Sequence, residues 1–226
     1  MAMKRLYHWT MDPTARACRI ALGELRYDVS YVLSPPQKPH EDVAKLAPGA
    51  FGVAYIDQGG HGRVVAVGGR AILEYLSEGG PTPNLLGTLP EDRAEARRIW
   101  EWIDIRFAEV GASLLQERLR QSLSRTHQPD SNALRRGAHA LRGALTFLNA
   151  VSEIRPFLAG RNLSVADLVA AGYLSAFDYF GDVQWDTVPD LRDWYSRIKS
   201  RPSFRPLLAD VIPGARPVKH YADIDF

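Results

Sequence analysis

The groups able to do chemistry gather in one early stretch, Lys4 to Glu24, KRLYHWTMDPTARACRIALGE. It holds a phenol (Tyr7), two hydroxyls (Thr10 and Thr14), a carboxylate (Asp12) and the chain's one thiol (Cys18). Asp12 followed by Pro13 reads as a helix start: Asp caps unpaired N–H groups and Pro fits the first helical position. A strand that delivers its chain to a helix N-terminus makes a place suited to a thiolate or a carboxylate. At the mouth of this helix, however, Ala15 and Ala17 flank Arg16, with no Ser or Cys beside them. Cys18 shares one helical face with Ala21, Leu22 and Leu25, which reads as a small core residue rather than a nucleophile. Thr10 and Thr14 read as cap or turn residues. The six histidines show no ligand spacing, so no metal is expected.

The elements that must position these groups follow from periodicity. Arg5 to Trp9 reads as a short buried strand, and the helix after it carries its apolar face as far as Leu25. Tyr27, Val29, Tyr31 and Leu33 alternate with other residues and predict a half-buried strand, with the proline-rich Ser34 to His40 an exposed connection. Glu41 to Leu46 is one or two helical turns. Gly52 to Asp57 and Arg63 to Val67 form a hairpin across QGGHG. Gly68-Gly69 leads into a helix with Ala71, Ile72, Tyr75 and Leu76 on one face. The order is βαβ then ββα, the first two strands parallel. Glu78 to Pro90 breaks every periodicity and reads as a linker.

Beyond it the pattern is helical throughout. Ile99, Ile103, Phe107 and Val110 share a stripe, and the helix should resume after a weak point at Gly111 as far as Leu123. Ser131 to Val151 carries Leu134, Ala138, Leu141, Leu145 and Leu148. Ser164 and Asp167 make a capping box opening an almost wholly apolar helix, Val165 to Phe177, expected at the centre of the second domain. Leu191, Trp194, Tyr195 and Ile198 mark one more helix, ended by Arg201-Pro202. The expected division is residues 1–78, a linker 79–90, an all-helical 91–210 and a tail 211–226.

Bulk composition sets limits. The 226 residues have 46% hydrophobic and 24% charged content, as ordinary soluble proteins do. A net charge of +2 does not point to nucleic acid. A single cysteine excludes an internal disulfide and fits a reducing compartment. No apolar run reaches the roughly 20 residues of a membrane span. The expectation is a cytoplasmic protein.

A small βαβ–ββα domain joined to an all-helical one resembles the glutathione transferase family. FLAGRNLSVAD (157–167), PDLRDWYSRIKSRPSF (189–204) and AILEYL (71–76) carry the resemblance. It implies an α+β protein with a thioredoxin-like first domain, and a homodimer. It also implies where glutathione determinants belong. The hydroxyl or thiol position holds Ala15, or Tyr7 or Thr10 if the hydroxyl comes from elsewhere. The position of a cis-proline holds Ala54, and a cis bond before Ala costs about 3 kcal/mol. The acidic-Ser pair that grips the γ-glutamyl group reads Gly68-Gly69. Glutathione is therefore expected to bind weakly or not at all, and no cofactor is expected. Were the protein an atypical transferase, Trp100, Trp102 and Phe107 would line its second-substrate site.

The ending PGARPVKHYADIDF (213–226), with RPSFRPLLAD before it, resembles a cell-division branch of that family. That likeness implies filaments of the tubulin-like division GTPase FtsZ as partner, signalling to septal wall synthesis, and a place at the division site. Tyr221, Asp223, Asp225 and Phe226 make an acidic-aromatic terminus suited either to docking as a linear motif or to folding back on its own domain. The basic run Arg118, Arg120, Arg125, Arg135, Arg136 and Arg142 is a solvated face or a steering surface for an acidic partner. Lys38 in the proline-rich loop marks a third candidate surface.

Overall fold

The computed structural model describes residues 4–48, 52–59, 62–79, 84–124 and 126–224. The chain opens with β1 (Lys4–His8), α1 (Pro13–Glu24), β2 (Ser30–Leu33), α2 (Glu41–Leu46), β3 (Ala54–Gly59), β4 (Gly62–Val67) and α3 (Gly69–Gly79). The four strands lie in the order β2-β1-β3-β4. β1 pairs parallel with β2 and antiparallel with β3, and β3 with β4 antiparallel. This is the βαβ–ββα arrangement the alternation predicts.

Three local readings differ. β2 begins at Ser30, so Tyr27 to Val29 stand outside the ladder. Tyr31 and Leu33, expected on the buried face, are 48% and 62% exposed. β2 is an edge strand, and the α1 group over Tyr31 is the Arg19 guanidinium, 5.9 Å from its ring centroid. On α3, Leu73 rather than Ala71 joins Ile72 and Leu76 in the core.

The helical part follows as α4 (Pro90–Val110), a π-helical turn (Gly111–Leu115), α5 (Gln116–Leu123), α6 (Ser131–Ile154), α7 (Val165–Tyr179), α8 (Pro189–Lys199) and the short α9 (Arg205–Leu208). The weak point at Gly111 is not a break; the helix passes through it as a wide turn. α7 is buried nearly all round. Its capping box forms: Asp167 accepts from the Ser164 amide at 2.9 Å, and also from the Leu158 amide (2.8 Å) and the Trp194 indole (2.9 Å). α1 lies against α7 so closely that a Cβ at Gly172 would sit 2.3 Å from the Pro13 carbonyl oxygen. One continuous apolar core therefore joins the sheet's helices to the helical part. The expected linker takes part in it, since Leu85 and Leu86 are buried.

Among the described residues, no helix is long and apolar enough to cross a membrane, and no three His, Cys, Asp or Glu side chains gather as metal ligands.

Candidate functional site

The β1–α1 turn, Pro36 and the α4–π segment enclose a cleft of ≈ 320 Å³. Its walls are mainly apolar, from Trp9, Met11, Phe107, Leu115 and Tyr173, and Asp12 is the one acid lining it. The π turn places Gly111, Ala112 and Leu115 on this wall; such wide turns recur at functional sites. It is held from behind by α6, where a Cβ at Gly137 would come within 2.8 Å of the Leu114 amide.

Asp12 sits at the mouth of α1. Its Oδ1 accepts from the Thr14 amide at 2.8 Å and the Ala15 amide at 3.3 Å. Burial pushes its carboxyl pKa up. The donors that a helix N-terminus offers an anion are thus directed at the chain's own carboxylate. Residue 15 is a buried alanine. Tyr7 is 1% exposed and donates to Asp42 Oδ2 on α2 at 2.6 Å. Burial first, and the neighbouring Asp42 next, raise its pKa. Thr10 engages through its carbonyl, which accepts from Arg16 Nη1 at 2.8 Å. Cys18 is buried, and burial lifts its thiol pKa well up.

At the sheet side of the turn, Ala54 starts β3, in register with Tyr7 and Val67. The Gly68 amide donates to the Val53 carbonyl at 2.8 Å. Gly68 has φ +89°, which disfavours any side chain there. Gly69 is crowded instead: a Cβ would meet Thr14 Cγ2 at 2.1 Å. The Thr14 methyl fills the space where a residue-69 side chain would begin.

Residues 116–202 match the family described as Glutathione S-transferase, C-terminal domain. FtsZ-localized protein A of Caulobacter vibrioides is 41% identical over all of both chains. The chain belongs to the glutathione S-transferase superfamily. Among solved structures, FzlA from C. crescentus superposes with a TM-score of 0.93 at 40% identity, over 99% of this chain and 100% of that one. A glutathione S-transferase from Rhodospirillum rubrum does so at 0.91 and 39%, with the same coverage.

Within that glutathione S-transferase frame, several expected site residues fall elsewhere. Trp100 is fully buried beneath the Arg70 guanidinium, which lies 4.4 Å from its ring centroid. Trp102 packs on Phe147 at 4.1 Å. Of these aromatics only Phe107 reaches the cleft. Of the two courses open to the terminus, Tyr221 takes the folded-back one: it is fully buried against Tyr179 and Met11. A phenol ring there gains more by covering apolar surface than by facing water. Asp223 stands at the surface, while Asp225 and Phe226 lie outside the described residues.

The basic run is neutralised in part. Arg118 binds Asp182 (2.6 Å) and Arg120 binds Glu117 (2.9 Å). Arg125 lies outside the described residues, and Lys38 is exposed. Asp182 lies beyond the end of α7, 64 residues along the chain from Arg118.

Nothing near Arg16 in the sequence announces its partners. It is fully buried and donates to Ser175 Oγ (2.7 Å), Asp210 (2.9 Å), the Leu207 carbonyl (3.3 Å) and the Tyr221 hydroxyl. It ties α1 to α7, α9 and the tail at once. An arginine between two alanines was the available signal, since its stem and head must both be accommodated on a packed helix face.

Proposed function

We propose that this chain is a non-catalytic scaffold of bacterial cell division that binds FtsZ filaments, as a homodimer in the cytoplasm at the division site, and signals to septal wall synthesis. The observation that carries the reading is full-length identity of 41% to a protein whose name states that it is FtsZ-localized. The geometry at α1 supports the non-catalytic part. A thiolate brought to this helix mouth would meet the Asp12 carboxylate, a like charge, at the donors it needs. Gly68 and Gly69 offer no side chain to a γ-glutamyl group. The chain divides, on this reading, into 1–78, 79–90, 91–210 and the tail 211–226. Asp223, Asp225, Phe226, Lys38, Arg118, Arg120 and Arg125 are the candidate contacts, with Tyr221 the buried peg that holds the tail in place.

The test is co-sedimentation of the full chain with polymerised FtsZ at low salt, beside retention on glutathione resin. The expected result is pelleting with filaments and passage through the resin; no pelleting at low salt overturns the reading. A second reading, an atypical transferase using Tyr7 or Thr10, draws on the 39% identical relative described as a glutathione S-transferase. It requires Tyr7 to leave Asp42. Calorimetric titration with glutathione separates the two, because a micromolar site would favour the enzyme.

A further inference from the structure

Whereas the cleft meets α1 at Asp12 and Pro13, a second cavity lies further along the helix, at Arg19 and Gly23. It measures ≈ 460 Å³ and is walled by β1, the outer end of β2, α1 and the segment around α9. Its size and make-up are those of a small-molecule site: apolar walls with a few convergent polar groups. Tyr31, Leu33, Pro206 and Leu207 supply the apolar surface. Tyr31 and Leu33 are the two large side chains of β2 left exposed, both on the face that carries His8.

The polar groups are His8, Arg19 and Asp210. His8 is 5% exposed, and its Nδ1 has no hydrogen-bond partner. Such a buried nitrogen is costly to leave unmade. Its ring meets Tyr31 edge-on at 5.7 Å. The Arg19 guanidinium lies 5.9 Å from the Tyr31 centroid and holds Asp210 with both nitrogens, at 2.7 and 3.0 Å. Arg16 holds the same carboxylate at 2.9 Å from behind. Two guanidinium charges thus share one carboxylate, and the neighbourhood keeps a net positive charge. Burial above all, and then the Arg19 charge, drive the His8 pKa down to about 4, so the ring adds no charge at neutral pH.

We infer that this cavity is a binding site for a small aromatic monoanion, its ring between Tyr31 and Leu207 and its acid group toward His8 and Arg19. The inference uses neither the basic run nor the last residues of the tail, although the cavity shares Leu207 and Asp210 with the network that anchors Tyr221.

The probes are sodium benzoate and its uncharged isostere benzamide, each titrated into the full chain. The readouts are calorimetry and the His8 imidazole NMR resonance, assigned with His8→Gln. The expected result is a saturable benzoate-dependent shift at His8, with its pKa moving up as the bound anion favours the protonated ring. Benzamide should bind about tenfold more weakly, lacking charge-assisted hydrogen bonds. Tyr31→Ala, at a half-exposed edge position, should fold normally and weaken benzoate about tenfold. Arg19→Met should abolish the preference for benzoate over benzamide. Absence of a saturable His8 shift, equal binding of the two probes, or undiminished binding to Tyr31→Ala overturns the inference. So does a response confined to the cleft beside Trp9.

Discussion

Tyr221 offers the sharpest test of how the C-terminal segment is held. Its hydroxyl accepts from Arg16 Nη2 and donates to the Leu207 carbonyl at 3.2 Å, and its ring meets Tyr179 edge-on at 5.2 Å. Tyr221→Phe keeps the ring and removes only the oxygen. Arg16 Nη2 then retains one acceptor, the Leu207 carbonyl at 3.3 Å, inside a site with no solvent access. Loss of a hydrogen bond to a buried charge costs about 2 kcal/mol. For a chain of this length that lowers Tm by about 4–8 °C. Tyr221→Ala loses the ring as well, adding about 3 kcal/mol for the cavity. The sum, about 5 kcal/mol, is a large share of a typical domain's stability.

Urea melts of the three proteins, read by far-UV circular dichroism, give the ordering wild type, Phe, Ala. A Tyr221→Phe protein within about 0.5 kcal/mol of wild type would refute the idea that Arg16 depends on this hydroxyl, because surface changes alone give that much. An Ala variant no worse than Phe would refute the packing half of the argument. The same reasoning shapes the filament assay. A chain ending at Val218 also loses the His220–Asp178 contact at 2.9 Å and the Lys199 bond to the His220 carbonyl at 3.2 Å. It should therefore be destabilised whatever its partner. A chain ending at Ile224 keeps every one of these bonds, and loss of pelleting there would assign binding to the last two residues.

Gly69→Ala should destabilise by about 2 kcal/mol because its Cβ would meet Thr14 Cγ2 at 2.1 Å, and Thr14→Ser, which removes that methyl, should rescue it; a double-mutant melt checks the coupling. His8 should weaken the protein in acid. Its folded pKa of about 4 lies below the ordinary 6.5, so the unfolded chain takes up a proton first as pH falls. The stability present above pH 6.5 is lost progressively down to pH 4, by about 3 kcal/mol, and is flat below that. Urea midpoints against pH should show this slope in wild type and not in His8→Gln. Asp167→Asn should cost about 3 kcal/mol, since Asp167 oxygens accept from Leu158, Trp194 and both groups of Ser164, and an amide nitrogen would face donors; thermal melting monitored at the Trp194 indole reads it.

What the sequence disclosed and what it hid divide along one physical line. Periodicity reports how an element meets its immediate neighbours. The βαβ–ββα order, the Ser164–Asp167 box and the apolar surround of α7 were therefore legible. So was the Asp12-Pro13 start of α1. Hidden were the groups whose partners come from far along the chain. Arg16 finds Ser175, Asp210 and Tyr221 across separations of 159, 194 and 205 residues, and nothing local to TARAC announces them. Tyr221 could be read equally as a docking group or as folded back for the same reason: the surface that buries it, at Met11 and Tyr179, belongs to other elements. Tyr31 and Leu33 failed in the opposite sense, since alternation says which face a residue joins but not whether a helix extends over it. Around the mouth of α1, the residue types at Ala15, Gly68 and Gly69 were legible but their surroundings were not. That Asp12 directs its own carboxylate at the α1 amides, and that Thr14 takes up the space beside Gly69, are distances of 2.8 and 2.1 Å, and they are what turn missing side chains into an argument about function.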